Sequence, residues 1–216
     1  MKILLLILIA YLLGSIQTGL WIGKIFFHTN LREHGSGNTG TTNTFRVLGK
    51  TAGTITFLVD MLKGTLAVLL PVWLGVTAVS PLVIGFFAII GHVFPIFAGF
   101  KGGKGIATSF GIMLVLDWRL ALFGFGTFML VFFSTHYMSL GSLSGVIAGF
   151  LPIFISVGMI GGIGGEIIVS EQRAEFYIII SLMIFLAFFR HRENISRLLK
   201  GEERKTHLHR AKNKEE

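Results

Sequence analysis

Apolar residues in this chain come in seven runs, most of them about twenty residues long and one of 11, and that spacing constrains the fold more than any other feature. The runs are residues 3–23, 53–73, 81–99, 106–116, 120–137, 143–163 and 175–190. A helix rises 1.5 Å per residue, so about 20 residues cross a ~30 Å hydrocarbon layer. Composition agrees: 52% of the 216 residues are hydrophobic and 14% charged, too little polar surface for a soluble domain. With no cysteine, disulfides, thiolate metal sites and cysteine nucleophiles are excluded. The expectation is an all-α, polytopic integral membrane protein.

Two places decide the number of spans. The N-terminal run has no small-x-small cleavage pattern, so it is read as a retained first helix. Residues 106–137 as one helix would be about 48 Å long, well beyond the hydrocarbon layer. Asp117-Trp118-Arg119 supplies the break. That makes seven transmembrane helices. With the N-terminus outside and the C-terminus cytoplasmic, Lys24, Arg32, Arg46, Lys50, Lys101, Lys104 and the basic C-terminal end all fall inside, the polarity that membrane insertion favours. Nine of the 19 Lys and Arg lie between Arg190 and Lys214. The net charge of +8 therefore reads as an anchor beside anionic lipid, with no nucleic-acid partner. A single membrane domain is expected over 1–200, with a basic cytoplasmic tail over 201–216. Gly158, Gly161, Gly162, Gly164 and Gly165 are read as close helix packing.

Three polar stretches carry more chemistry than connectors need. The first, His34 to Arg46, contains GxGxxG at Gly35, Gly37 and Gly40, but no βαβ unit surrounds it, which excludes a dinucleotide fold. Its chemistry still suits an anion: glycines let backbone N–H groups converge, Ser36, Asn38, Thr42 and Asn43 add neutral donors, and Arg46 offers a fork to phosphate oxygens. A flexible loop that binds nothing remains the alternative. The second, Gly91 to Thr108, sets Lys101 and Lys104 among Gly99, Gly102, Gly103 and Gly105. The spacing is not that of a Walker loop. His92 near a helix end is read as making a structural hydrogen bond.

The third stretch begins at His191. In a helix, Arg190, Asn194 and Arg197 share a face and His191 lies one turn from Asn194, so His191 and Asn194 suit one small polar ligand. A plain charged juxtamembrane helix explains the same residues. Asp60 and Lys63, three apart in the second run, are read as a structural ion pair.

Taken together, the stretches resemble the bacterial acyl-phosphate:glycerol-3-phosphate acyltransferase family (PlsY). The resemblance rests on Ser36-Gly37-Asn38-x-Gly40-x-Thr42-Asn43 with Arg46, on Gly91-His92-x-Phe94-Pro95 running into Phe100-Lys101-Gly102-Gly103-Lys104-Gly105, and on His191-Arg192-x-Asn194-Ile195-x-Arg197-Leu198. Weaker patterns match at Gly14-Ser15 with Gly19, Asp60-x-x-Lys63-Gly64 and Ser139-Leu140-x-Ser142. Gln17-Thr18 and Thr41 depart from the family pattern, the former bearing on the shape of the first helix.

The resemblance implies acyl transfer from acyl phosphate to the 1-hydroxyl of glycerol 3-phosphate, giving 1-acylglycerol 3-phosphate (lysophosphatidic acid) and phosphate. It implies a multi-pass protein of the bacterial cytoplasmic membrane with its site on the cytoplasmic face, and neither acyl-CoA nor acyl carrier protein as direct donor. Ser36, Arg46, Lys104, His191 and Asn194 become the candidate catalytic residues. Gly35, Gly37, Asn38, Gly40, Thr42, Asn43, His92, Lys101, Gly102, Gly103 and Ser142 become candidate phosphate- or substrate-binding residues. No cofactor and no metal is expected. A Ser-His-Asp set and an HxxxxD motif are both missing from the sequence, so direct attack without an acyl-enzyme is expected. A channel or transporter for a small phosphate-bearing anion is the competing reading, and a lipid-scaffolding protein a third.

Overall fold

The computed structural model describes residues 1–155 and 173–206, and every regular element among them is helical. In chain order these are α1 (Lys2–Ser15), α2 (Thr18–Phe26), α3 (Thr41–Leu48), α4 (Lys50–Trp73), α5 (Pro81–Val93), α6 (Ile106–Leu116), α7 (Trp118–Thr135), α8 (Met138–Phe150), α9 (Pro152–Ile155), α10 (Arg173–Arg190) and α11 (Arg192–Leu199). A 3₁₀ turn at Ile96–Ala98 follows α5. Three of these segments are long and apolar enough to cross a membrane: α4, Pro81–Ala98 and α7. The bent pairs α1–α2 and α10–α11 qualify as two more, while α6 and Met138–Phe154 are shorter apolar helices.

The molecule is apolar on its outside as well as in its core. Leu4, Leu5, Leu8, Leu58, Leu62, Phe123, Leu130 and Phe185 are all exposed, an arrangement suited to lipid. Inside, Val68, Leu82, Ile89, Ile112, Val146 and Ile180 join α4, α5, α6, α8 and α10. Lipid tails are as apolar as leucine, so close backbone approach rather than hydrophobic burial must hold the helices together. Gly111 sets α6 against the Met61 carbonyl of α4, leaving no space for a Cβ. Likewise a Cβ on Gly124 of α7 would meet the Gly145 carbonyl of α8 at 2.7 Å.

The sequence expectations fare unevenly. The break at Asp117 is found: its carboxylate accepts from the Arg119 and Leu120 backbone N–H groups at 2.9 and 3.4 Å and caps α7. The third run ends as α-helix at Val93, before Pro95. Residues 138–142, expected as a connector, already form the first turns of α8. Its run was expected to reach 163, but α8 stops at Phe150 and a short α9 follows; the remainder, with Gly158 to Gly165, lies outside the described residues.

The first run, read as one retained helix with Gln17-Thr18 bearing on its shape, is two helices: α1 and α2 meet at 45° across Ile16-Gln17. The cause is a polar network. Lys63 Nζ donates to the Gly14 and Ile16 carbonyls at 3.1 and 2.9 Å, satisfying groups that a continuous helix would use. Gln17 donates to the His92 carbonyl at 3.0 Å and accepts from the Thr39 hydroxyl at 2.7 Å, while Thr18 donates to Asp60. The expected pair is present, with Lys63 Nζ 2.8 Å from Asp60 Oδ1 and both side chains buried.

Candidate active site

Loops at one end of the bundle surround a cavity of about 550 Å³. It is built from the loop before α3, the N-terminus of α6, the α7–α8 hairpin and the bend between α10 and α11. The loop before α3 is shaped from within. Asn43 donates to the Leu31 and His34 carbonyls at 3.1 and 3.0 Å and accepts from the Ser36 amide at 2.8 Å. Gly35 has φ +63°, and its Cβ position is occupied by the Asn43 side chain, so only glycine fits there. This scaffold presents Ser36 and Arg46 to the cavity.

From the opposite wall, α10 ends at Arg190 and the chain turns 55° into α11. The buried His191 sits at the turn, its Nδ1 2.8 Å from the Ala187 carbonyl. A carbonyl only accepts, so Nδ1 carries the proton and Nε2 is left as an acceptor. Asn194, one turn on, accepts from Lys104 Nζ at 2.5 Å. Asn194 Nδ2 donates to Glu203 Oε1 at 2.6 Å, and the same carboxylate accepts from Ser139 Oγ and Arg197 Nε, both at 2.7 Å.

Six cationic side chains line the cavity (Arg46, Lys104, Arg190, Arg192, Arg197, Arg204) against three acidic ones (Asp60, Glu193, Glu203), and Asp60 is already paired with Lys63. Such an excess favours an anion. Burial lowers Lys104 to about 8, against the raising field of Glu203. Burial, then the Arg204 charge, also hold Arg46 below the usual guanidinium range. For Glu203 burial acts upward, but hydrogen bonds from Asn194, Ser139 and Arg197 outweigh it and keep the carboxylate ionised.

Below this charged mouth the lining changes character. Phe57, Phe110, Phe125, Phe128 and Phe132 form a ladder of rings with neighbouring centroids 5.4–6.5 Å apart. One continuous cavity thus joins a mouth with an excess of cationic side chains to an apolar limb.

The sequence of residues 4–201 matches the model of the glycerol-3-phosphate acyltransferase family. The chain belongs to that family. Relatives include the glycerol-3-phosphate acyltransferases of Streptococcus thermophilus (strain CNRZ 1066), 60% identical, and of Streptococcus pyogenes serotype M1, 49% identical; each similarity covers 92% of this chain and 90% of the relative. Two crystal structures of PlsY (YgiH), an integral membrane glycerol 3-phosphate acyltransferase, superpose on it. The glycerol 3-phosphate form gives a TM-score of 0.82 at 36% identity, covering 96% of both chains. The lysophosphatidic acid form gives 0.81 at 34% identity, covering 96% of this chain and 97% of that one.

Within this glycerol-3-phosphate acyltransferase family member, Ser36, Asn38, Gly40, Thr42, Asn43, Arg46, His92, Lys104, Ser142, His191 and Asn194 all line the cavity. Gly35, Gly37, Lys101, Gly102 and Gly103 do not. Lys101 is exposed. The Gly102 and Gly103 amides already donate to the Val93 and His92 carbonyls at 3.2 and 3.1 Å, so those glycines serve to fold the loop back on α5. His92 makes its structural bonds through that carbonyl, while its ring Nδ1 is buried without a hydrogen-bond partner among the described residues. The Thr41 hydroxyl, on the cavity wall, is likewise buried and unpartnered.

Sequence reasoning missed Glu203 and Thr206, which lie in the segment read as a tail. Thr206 accepts from Arg46 at 3.0 Å, and its amide donates to the His136 carbonyl at 2.9 Å. Arg204 donates to the Gly35 carbonyl at 2.5 Å. The strand of chain after α11 therefore crosses the mouth and ties the first loop to the α7–α8 corner.

Proposed function

We propose that this chain transfers a fatty acyl group from acyl phosphate to the 1-hydroxyl of glycerol 3-phosphate, releasing phosphate and 1-acylglycerol 3-phosphate. Its family membership makes it a glycerol-3-phosphate acyltransferase of phospholipid synthesis. The observation that supports acyl phosphate as donor is the continuity of the charged mouth with the phenylalanine-lined limb, which suits one molecule bearing a phosphate head and a hydrocarbon chain. Acyl-CoA and acyl carrier protein are then not direct donors.

In this reading Arg46, Lys104 and Ser36 hold phosphate oxygens, with the first-turn amides of α3 and α6 adding partial positive charge. His191 Nε2 accepts the hydrogen bond of the glycerol 2-hydroxyl, leaving the 1-hydroxyl proton free to pass to phosphate, and Asn194 orients Lys104 and glycerol 3-phosphate. The hydroxyl oxygen attacks the acyl carbon, the carbon–oxygen bond to phosphate breaks, and the hydroxyl proton leaves on the phosphate. Positioning and charge stabilisation do the work. No acyl-enzyme forms.

We further propose seven spans: the three long segments, the two bent pairs, α6, and the span begun by α8. The N-terminus is outside, the C-terminus cytoplasmic and the site on the cytoplasmic face of the bacterial inner membrane. The basic residues of the mouth and of the C-terminal segment lie together, which supports this orientation. Residues 1–200 act as one domain, with a basic tail from 201. A channel finds no support, because the family matched over residues 4–201 is one of acyltransferases.

The test is purified protein in lipid nanodiscs given glycerol 3-phosphate with palmitoyl phosphate or palmitoyl-CoA. Phosphate release and lysophosphatidic acid are expected with the first only. Turnover with palmitoyl-CoA alone would overturn the donor assignment.

A further inference from the structure

Among the described residues, the lining of the apolar limb ends at the α6–α7 turn and the end of α8. Helix α6 stops at Leu116, Asp117 is extended (φ −154°, ψ 104°), and the chain restarts as α7. That reversal places Leu120 and Ala121 under the limb, with Met113 of α6 and Phe150 of α8 beside them. Met113, Ala121 and Phe150 line the cavity and also belong to the central core, where they are 2%, 2% and 4% exposed. The floor is therefore backed by packed side chains and cannot yield to a longer ligand without disturbing the core. From Ser139 at the mouth to Phe150 at the floor, α8 advances 11 residues, a depth of about 16 Å.

We infer that this floor limits the length of the acyl chain, with Phe150 and the neighbouring Gly149 as the residues that set the stop. The inference rests on the acyl-phosphate reading above. A chain arriving from lipid gains no hydrophobic free energy on entering an apolar limb, since the two surroundings are equally apolar. Length selection must then come from shape. A chain too long for the limb pushes into a closed wall or holds its head out of the mouth. Gly149 is the position where the wall can be raised: a Cβ there would meet the Leu120 carbonyl at 3.5 Å and the Gly124 Cα at 3.7 Å, both ordinary contacts.

The experiment measures kcat/KM for lauroyl, palmitoyl and stearoyl phosphate in the wild-type protein and in Gly149→Leu and Phe150→Ala. Gly149→Leu should lower palmitoyl and stearoyl relative to lauroyl phosphate by about tenfold or more, the scale of overpacking a closed site. Phe150→Ala should shift the profile the other way, raising stearoyl relative to lauroyl. Profiles parallel to wild type in both variants would overturn the stop. If Gly149→Leu is inactive even with lauroyl phosphate, Gly149→Ala decides: a shift toward shorter chains supports the stop, and an unshifted profile overturns it. Wild-type protein that turns over no acyl phosphate of any length would overturn the donor reading together with the stop defined by it.

Discussion

Lys104 and Asn194, 90 residues apart in sequence, meet across the mouth of the cavity in a 2.5 Å hydrogen bond. Asn194 also donates to Glu203, so one amide joins the cation at the start of α6 to the carboxylate that ties down the C-terminal segment. Lys104 is thereby held in place before any substrate arrives. A flexible lysine would otherwise lose rotamer entropy on binding, and the amide removes part of that cost.

The lowered Lys104 gives a pH prediction. Its ammonium is charged below about 8 and neutral above, and its phosphate partners are fully ionised well below that pH. Affinity of the substrate-free protein for glycerol 3-phosphate should be flat near pH 7 and weaken above about 8, approaching tenfold per pH unit if only the charged form binds. Titration calorimetry across this range checks it. Lys104→Gln should bind weakly throughout with the dependence removed; an unchanged slope in that variant would assign the titration to another group.

Arg46→Ala and Ser36→Ala should each lower kcat/KM, by about 10- to 100-fold for the arginine and less for the neutral hydroxyl. Thr206→Val keeps the shape of the residue but removes the hydroxyl that accepts from Arg46. It should cost only a few-fold. Wild-type rates in a well-inserted Arg46→Ala protein would remove the guanidinium from the site.

His191→Gln should retain measurable turnover, because an amide oxygen still accepts from the glycerol 2-hydroxyl while the 1-hydroxyl proton leaves on phosphate. His191→Ala should fall further, by about 10²-fold. Steady-state rates with both substrates saturating separate the two. Complete loss in His191→Gln, with normal insertion and binding, would make the imidazole a true base.

The orientation is tested on a chain that has no cysteine of its own. Ala78→Cys and Glu202→Cys, at exposed positions, should react with an impermeant maleimide from opposite sides of sealed vesicles. Labelling from one side would refute the seven-span arrangement.

Local signals were read well and distant ones poorly. Asp117-Trp118-Arg119 breaks two helices with its own side chain and backbone, so the pattern contains its cause. The bend at Ile16-Gln17 does not. Gln17-Thr18 mark the place, but the group that satisfies the freed carbonyls is Lys63, 47 residues past Ile16. The same contrast holds at the cavity. Ser36, Arg46, His191 and Asn194 stand in polar stretches between or after the apolar runs, Lys104 was preferred to Lys101 only by the family resemblance, and all five line it. Glu203 stood among charged residues without periodicity, where nothing local distinguishes a packed carboxylate from a solvated one.

The Lys63 contact carries a consequence for how the protein is made. Helices α1 and α2 leave the ribosome before α4, and a broken helix surrounded by lipid has carbonyls with nothing to donate to them. The Lys63 ammonium donates to those carbonyls, so the bend is expected to be fully satisfied only when α4 is packed beside it. Lys63 in turn has no place of its own in hydrocarbon until it finds Asp60 and those two carbonyls. Each segment is thus the other's condition for staying in the membrane, and assembly of the N-terminal half is a joint event rather than the sum of separate insertions.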